Sequence, residues 1–168
     1  MYEALNKQLN AEFYSAYLYL SMATYFESTD LKGFTNWMKV QSQEELTHAM
    51  KLYDHIIERS AKVTLRSIDA PPVDWTGPLE IFKATLTHEQ KVTGLINDLV
   101  HLARREKDDT SEIFLQWFVN EQVEEEESVA AVLEQLKLVK GSPQALFMMD
   151  KEMARRKFVR PVAMKRGV

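Results

Sequence analysis

Glu45 and His48 stand three residues apart in the stretch QSQEELTHAM (residues 41–50), which is otherwise polar and helix-forming. Residues at i and i+3 share one face of an α-helix, so a carboxylate and an imidazole at this spacing can bind one metal ion together. Both residues fall where the apolar stripe of the helix is due to continue, between Met38 and Leu52. The pattern indicates a metal-binding pair on the inner face of a helix.

Three other helical stretches carry the same kind of interruption, at Glu12, Glu89 and Glu125, each near the middle of its stretch. The four stripes, spaced alternately by four and three residues, are Leu5, Leu9, Glu12, Ala16, Tyr19, Ala23 and Phe26; Phe34, Met38, Gln41, Glu45, His48 and Leu52, with Ile56 closing the stripe; Phe82, Leu86, Glu89, Thr93, Ile96, Val100 and Ala103; and Leu115, Phe118, Gln122, Glu125, Val129, Val132, Leu136 and Val139. Each is the seam of a bundle core. Four carboxylates at one depth should converge on one spot.

A single glutamate in an apolar stripe usually lies at the edge of the stripe, and the EEEE run at 124–127, taken alone, indicates a solvated face. Four such residues at one level of four helices call for another explanation. Buried together they would repel one another and be poorly solvated, and two divalent cations would match their charge of about −4. Carboxylate oxygens with one imidazole suit iron or manganese and tolerate zinc. We therefore predict a two-metal carboxylate site.

The helices that must position these residues are marked by glycines, prolines and capping signals. The predicted helices span about 2–28, 31–59, 78–106, 110–140 and 143–157. Asp109 and Glu112 are spaced as a capping box for the fourth helix. Gly141 is placed to end that helix, and Ser142-Pro143 to begin the fifth.

The connections between the helices predict the topology. Short turns join helices one and two, and helices three and four, which favours two antiparallel hairpins. The segment between the hairpins, about 18 residues, can extend roughly 60 Å, whereas a helix of about 28 residues is about 42 Å long. It can therefore cross the bundle and make helices two and three parallel. We predict an all-α four-helix bundle with one long crossover between helices two and three and a short fifth C-terminal helix, in a single domain spanning residues 1–168.

Composition narrows the functional classes. The chain has 168 residues, 45% of them hydrophobic and 27% charged, which is typical of one globular domain. The net charge of −4 does not favour a nucleic-acid partner. No apolar run is long enough for a membrane span and no export signal is evident, so we expect a cytoplasmic protein without a membrane partner. There is no cysteine, which excludes thiolate metal sites. The first helix, FYSAYLYLSMATYF, is apolar on nearly all sides, which favours a homo-oligomer.

The stretches NAEFYSAYLYL, QEELTHAM, THEQ and FLQWFVNEQVEEE resemble the four helices of prokaryotic non-haem ferritins, and PQALFMMDKE resembles their fifth helix. The resemblance covers essentially the whole chain. It implies a ferritin-like bundle, a ferroxidase centre within each subunit, and a hollow shell of 24 subunits. The implied function is iron storage: two Fe(II) ions are bound, oxidised by dioxygen or peroxide, and stored as Fe(III) mineral.

The resemblance also implies roles for individual residues. Glu12 and His48 would bind the first iron, Glu45 would bridge, and Glu89 with Glu125 would bind the second iron. The residues implied at the edges of the centre are Gln122 as a weak ligand or neighbour, Glu44, Glu121 and Glu124 at a third iron position, and Tyr19 and Trp117 as adjacent aromatic residues. For Tyr19 and Trp117, core packing is an equally good interpretation.

Two departures from related families bear on the function. Bacterioferritins and most di-iron oxygenases have a second Glu-x-x-His motif, where this chain has Gln122-x-x-Glu125. The haem-binding methionine of bacterioferritins follows the bridging glutamate, where this chain has Leu46, so we expect no haem. Two alternatives stay open: a di-iron carboxylate oxidase or oxygenase acting on another substrate, and a DNA-protecting mini-ferritin of twelve subunits, whose ligands lie between subunits.

Overall fold

The computed structural model describes residues 1–159, and these residues form five α-helices and no β-strand. The helices are α1 (Tyr2–Ser28), α2 (Lys32–Glu58), α3 (Pro78–Glu106), α4 (Asp109–Leu138) and α5 (Pro143–Met153). The first four form the bundle, and α5 packs against α2. The predicted all-α fold is confirmed. The last nine residues of the predicted domain, 160–168, lie outside the described residues.

The connector between α2 and α3 runs along α1 and is tied to it by hydrogen bonds at several levels. Near the start of α1, the Asn6 side chain donates to the Lys62 carbonyl at 3.1 Å and accepts from the Thr64 amide at 2.6 Å. Towards the other end, Ser21 Oγ donates to the Pro72 carbonyl at 2.6 Å. These side chains bind backbone groups that the connector cannot satisfy by itself. The connector is therefore the long crossover that the topology requires.

Three helix ends differ from the sequence-based expectation. The capping box predicted at Asp109 is wrong by one residue, because Asp108 is the N-cap of α4 and accepts from the Ser111 amide at 3.2 Å. The Glu112 carboxylate instead accepts from Arg104 Nε at 2.7 Å. Helices α4 and α5 end at Leu138 and Met153, short of the predicted residues 140 and 157. Ser142 does cap α5, accepting from the Ala145 amide at 3.2 Å.

Helix α5 contacts the start of α2, where a side chain of α5 caps the first amides of α2. Asp150 Oδ1 accepts from the amides of Gly33 and Phe34 at 2.8 and 3.0 Å. The N-cap residue of α2, Leu31, supplies no side-chain hydrogen bond to these amides. A Cβ on Gly33 would lie 1.6 Å from the Asp150 carbonyl oxygen, so only glycine permits this approach. The contact fixes where the chain leaves α5.

The apolar core is divided into two clusters along the bundle. One contains Phe26, Phe34 and Phe82, and the other contains Leu5, Leu52 and Phe118. The members of the four predicted stripes are buried except Leu86, Thr93 and Val139, which are half-buried. The interrupting carboxylates lie between the clusters, as a polar layer inside an apolar bundle.

Candidate metal centre

Each of the four bundle helices contributes a buried carboxylate to the polar layer, and α2 also contributes an imidazole. The exposed fractions are 1% for Glu12, 2% for Glu45, 2% for His48, 1% for Glu89 and 5% for Glu125. Ionisable groups this deeply buried are rare in proteins unless they are paired or bind a metal. The hydrogen-bond and charge partners of these five groups therefore indicate whether the layer can bind a metal.

Glu12, Glu45 and His48 form the first group, in which one ligand atom from each lies within 4.8 Å of the others. His48 Nδ1 is 3.3 Å from Glu45 Oε2. Gln8 Nε2 donates to Glu12 Oε1 at 2.8 Å, but Glu12 Oε2 is buried and has no hydrogen-bond partner among residues 1–159. A bare, buried carboxylate oxygen beside a second carboxylate and an imidazole is well suited to bind a cation.

Glu89 and Glu125, on α3 and α4, are oriented by uncharged hydrogen-bond donors. The Tyr19 hydroxyl donates to Glu89 Oε1, and Gln122 Nε2 donates to Glu89 Oε2 at 3.2 Å. Gln41 Nε2 donates to Glu125 Oε2. The predicted residues Tyr19 and Gln122 thus contact the side of the layer where the second metal is expected.

A second group of possible ligands lies next to the first and shares His48 with it. It comprises His48, Glu121 and Glu125, again within 4.8 Å, with His48 Nε2 3.8 Å from Glu121 Oε1. Glu44 is near enough to Glu121 for their charges to interact, and its carboxylate is paired with Arg156 at 2.5 Å. Glu124 is exposed and belongs to neither group. Glu44 also belongs to neither group, so of the three residues expected at a third iron position only Glu121 lies in a group of possible ligands among residues 1–159.

Burial and mutual repulsion disfavour ionisation of three of the carboxylates. Burial, with the charge of Glu45, raises the pKa of Glu12 to about 8 and that of Glu125 to about 7. Burial, with the charges of Glu45 and Glu125, raises the pKa of Glu89 well above its usual range. Each of these carboxyl groups therefore binds its proton more tightly than an exposed glutamate does, and a divalent cation would replace such protons.

Glu45 and His48 behave in the opposite way. Burial opposes the charge on Glu45, but His48 outweighs it and lowers the pKa of Glu45. Burial likewise opposes the charge on His48, but Glu45 and Glu121 raise its pKa well above the usual range. Without metal, these two residues form an ion pair, and the His48 proton must leave before the ring can bind a cation.

Two aromatic residues predicted beside the centre do contact it. The Trp117 ring meets the His48 ring edge-on at 5.4 Å between centroids, and the Lys51 ammonium lies 4.0 Å from the Trp117 ring centroid. Burial and the charge of Glu89 raise the pKa of Tyr19 well above its usual range, so its hydroxyl remains a donor. The contacts are compatible with packing as well as with a redox role.

Sequence reasoning missed three side chains around the centre. Gln41 stood in the predicted stripe without a role, although its amide contacts Glu125. His88 lies one position away from the stripe and is hydrogen-bonded to Ser15 at 2.8 Å, beside Tyr19. Arg156 follows α5, where no periodicity indicates which way a side chain points. Of these three residues, only Gln41 was indicated by the sequence, because it is a polar residue in an apolar stripe.

The chain is similar to known proteins over most of its length. Residues 2–139 match the family model of the ferritin-like domain. The chain is 40% identical over 153 residues to the bacterial non-heme ferritin of Bacteroides fragilis strain 638R, covering 91% of this chain and 95% of the relative. It is 38% identical over 156 residues to that of Staphylococcus aureus strain USA300, covering 93% and 94%.

Two solved structures from Archaeoglobus fulgidus are also similar. An engineered closed form of the ferritin superposes with a TM-score of 0.94 at 52% identity, covering 95% of this chain and 97% of that one. The open pore ferritin of the same hyperthermophilic archaeon gives 0.92 at 52% identity, covering 94% and 97%. The resemblance predicted from the sequence is confirmed, and the chain belongs to the ferritin family.

Proposed function

We propose that this protein stores iron: it binds Fe(II) as a pair in the polar layer, oxidises it with dioxygen or peroxide, and passes Fe(III) inward to a mineral. One observation supports this above the others. A single chain supplies a carboxylate from each of four helices, and one of their oxygens, Glu12 Oε2, is buried without a partner among the described residues. A two-metal site of this kind holds both ions close together and stabilises the higher charge that oxidation creates.

The same observation distinguishes the proposal from a mini-ferritin. That class places its ligands between subunits, whereas Glu12, Glu45 and His48 meet within one chain. A di-iron enzyme acting on another substrate would retain its metal pair, whereas a site with one histidine should hold iron less firmly than a site with two, which favours a centre through which iron passes. We also propose that the protein carries no haem. Leu46 stands where bacterioferritins have their haem ligand, and the relatives named above are non-heme ferritins.

Zinc binding tests the proposed centre without oxidation chemistry. Crystals of the protein soaked in Zn(II) should show two ions about 3 to 4 Å apart in the polar layer, in contact with Glu12, Glu45, His48, Glu89 and Glu125. Glu45→Gln, which removes the carboxylate expected to bridge, should lose both ions. Glu58→Gln, an exposed change on the same helix, should keep them. Anomalous peaks only on the outer surface would contradict the assignment.

Storage requires a container, and we propose a homo-oligomeric shell of 24 subunits. Five large apolar side chains on α1 and α2 are between 45% and 49% exposed: Tyr17, Leu20, Leu46, Met50 and Ile57. Apolar side chains left exposed on two neighbouring helices are candidates for burial between subunits. Light scattering should therefore give a single large assembly at micromolar concentration. A stable species near 19.5 kDa, the mass of one chain, would contradict the shell.

A further inference from the structure

Arg156, three residues beyond the end of α5, is held in contact with α2 at both its backbone and its side chain. Asn36 Nδ2 donates to the Arg156 carbonyl at 2.9 Å. The guanidinium carbon lies 4.2 Å from the ring centroid of Trp37. Nη1 donates to Gln41 Oε1 at 2.8 Å, and Nη2 donates to Glu44 Oε2 at 2.5 Å. One planar cation thus bridges an amide and a carboxylate one helical turn apart.

The contact with Gln41 extends to the metal centre. Because the Gln41 oxygen accepts from Arg156, its amide nitrogen is directed towards Glu125 and donates to that carboxylate. The resulting chain of hydrogen bonds, Arg156 to Gln41 to Glu125, connects the segment after α5 with an expected iron ligand. Arg156 therefore helps to set which oxygens of Glu125 are free.

The contact with Glu44 affects the second group of ligands. Glu44 is not a member of that group, but its charge interacts with those of two members, His48 and Glu121. The guanidinium neutralises Glu44 and takes up one of its oxygens. A metal ion approaching Glu44 and Glu121 therefore meets a protein cation that already occupies part of the site.

We propose that Arg156 is a positioning residue that competes with metal ions for Glu44, and so weakens metal binding at the position between Glu44 and Glu121. An ion arriving there must displace the guanidinium from Glu44. The same displacement frees the Gln41 amide, so filling this position is coupled to the orientation of Glu125 in the neighbouring pair. The inference rests on the proposed function, because it concerns an ion that enters or leaves the paired site.

Graded zinc soaks with anomalous diffraction measure the competition directly. Arg156→Gln removes the positive charge, and the Zn(II) concentration that half-fills the position between Glu44 and Glu121 should fall about tenfold. A charge-assisted hydrogen bond contributes roughly ten- to a hundredfold to an equilibrium constant, and the lower end applies because the arginine side chain is 21% exposed. Arg155→Gln is the matched control: it makes the same change of charge one residue away, at an exposed side chain, and should leave the concentration unchanged.

Arg156→Lys provides a second variant in case the glutamine variant does not assemble. Lysine keeps the charge but cannot contact Gln41 and Glu44 together as a fork, so the half-filling concentration should fall by a smaller factor in the same direction. Equal values for the parent, the Arg155 variant and whichever Arg156 variant assembles would overturn the inference. Absence of the zinc pair at Glu12, Glu45, His48, Glu89 and Glu125 from the parent would instead overturn the proposed function, because the parent retains Arg156 and its contacts.

Discussion

Replacement of Glu12 by glutamine should slow the fast phase of Fe(II) oxidation at least about a hundredfold while the protein still assembles. Changes to groups that only orient metal ligands commonly cost ten- to a hundredfold, so loss of a ligand should cost at least the upper end. Glutamine has the shape of the protonated glutamate and can still accept from Gln8. The change therefore removes a negative metal ligand without leaving a cavity.

Stopped-flow absorbance after mixing the metal-free protein with Fe(II) and dioxygen measures the fast phase, and light scattering checks assembly. Glu3→Gln on the same helix is the matched control, because its side chain is 76% exposed and remote from the polar layer. The control should oxidise Fe(II) like the parent. Slow mineral formation in the Glu12 variant would be compatible with the proposal, whereas a full fast phase would show that Glu12 is not a ligand.

The fold was predictable because two independent patterns constrain it. The stripes in four-and-three spacing identify which side of each helix is buried, and the lengths of the connectors permit one arrangement of the hairpins. Glu12, Glu45, Glu89 and Glu125 stood out for the same reason, since a carboxylate in a buried stripe violates the pattern that surrounds it. Such violations concentrate at functional sites.

The contacts around the site were less predictable, because they depend on side-chain direction and on segments without periodicity. Asp108 and Asp109 are both good N-caps, and only the observed backbone, in which Lys107 is left-handed and Asp108 accepts from the Ser111 amide, identifies Asp108 as the cap of α4. The docking of α5 through Asp150 and Gly33 joins residues far apart in sequence. Without that contact, nothing in the sequence places Arg156 beside Gln41 and Glu44.

The polar layer should also make the stability of the metal-free protein depend strongly on pH between about 6 and 9. The folded protein raises the pKa of Glu12 to about 8 and that of Glu125 to about 7, against an ordinary value of 4.5, and it raises the pKa values of Glu89 and His48 as well. Such groups hold protons more tightly in the folded chain than in the unfolded chain. Their stabilisation is complete below the unfolded values and is lost as the pH rises through the folded ones.

The contribution of Glu45 to the pH dependence has the opposite sign, because its pKa is lowered in the folded protein. That contribution changes stability in acid and not between pH 6 and pH 9. We therefore expect the free energy of unfolding of the metal-free parent to fall between pH 6 and pH 9 by an amount on the order of 3 kcal/mol. Melting temperatures, measured in the presence of a chelator across this range, record the loss. Zinc-loaded protein should not show it, because the metal replaces the protons on its ligands.

Glu12→Gln should separate the contribution of Glu12 to this pH dependence from the contributions of the other buried groups. At pH 6 the variant should melt above the parent by only a small margin, because Glu12 is ionised in the unfolded parent and must take up a proton when the parent folds, whereas glutamine is neutral in both states. At pH 9 it should melt at a higher temperature than the parent, because the parent must then either ionise Glu12 in an apolar core or hold its proton against the solution. Glu3→Gln should follow the parent at both pH values. If the melting curves of the Glu12 variant and the parent stayed parallel from pH 6 to pH 9, Glu12 would not change its protonation there, and the clustered carboxylates would not impose the cost on the metal-free fold that the proposed centre requires.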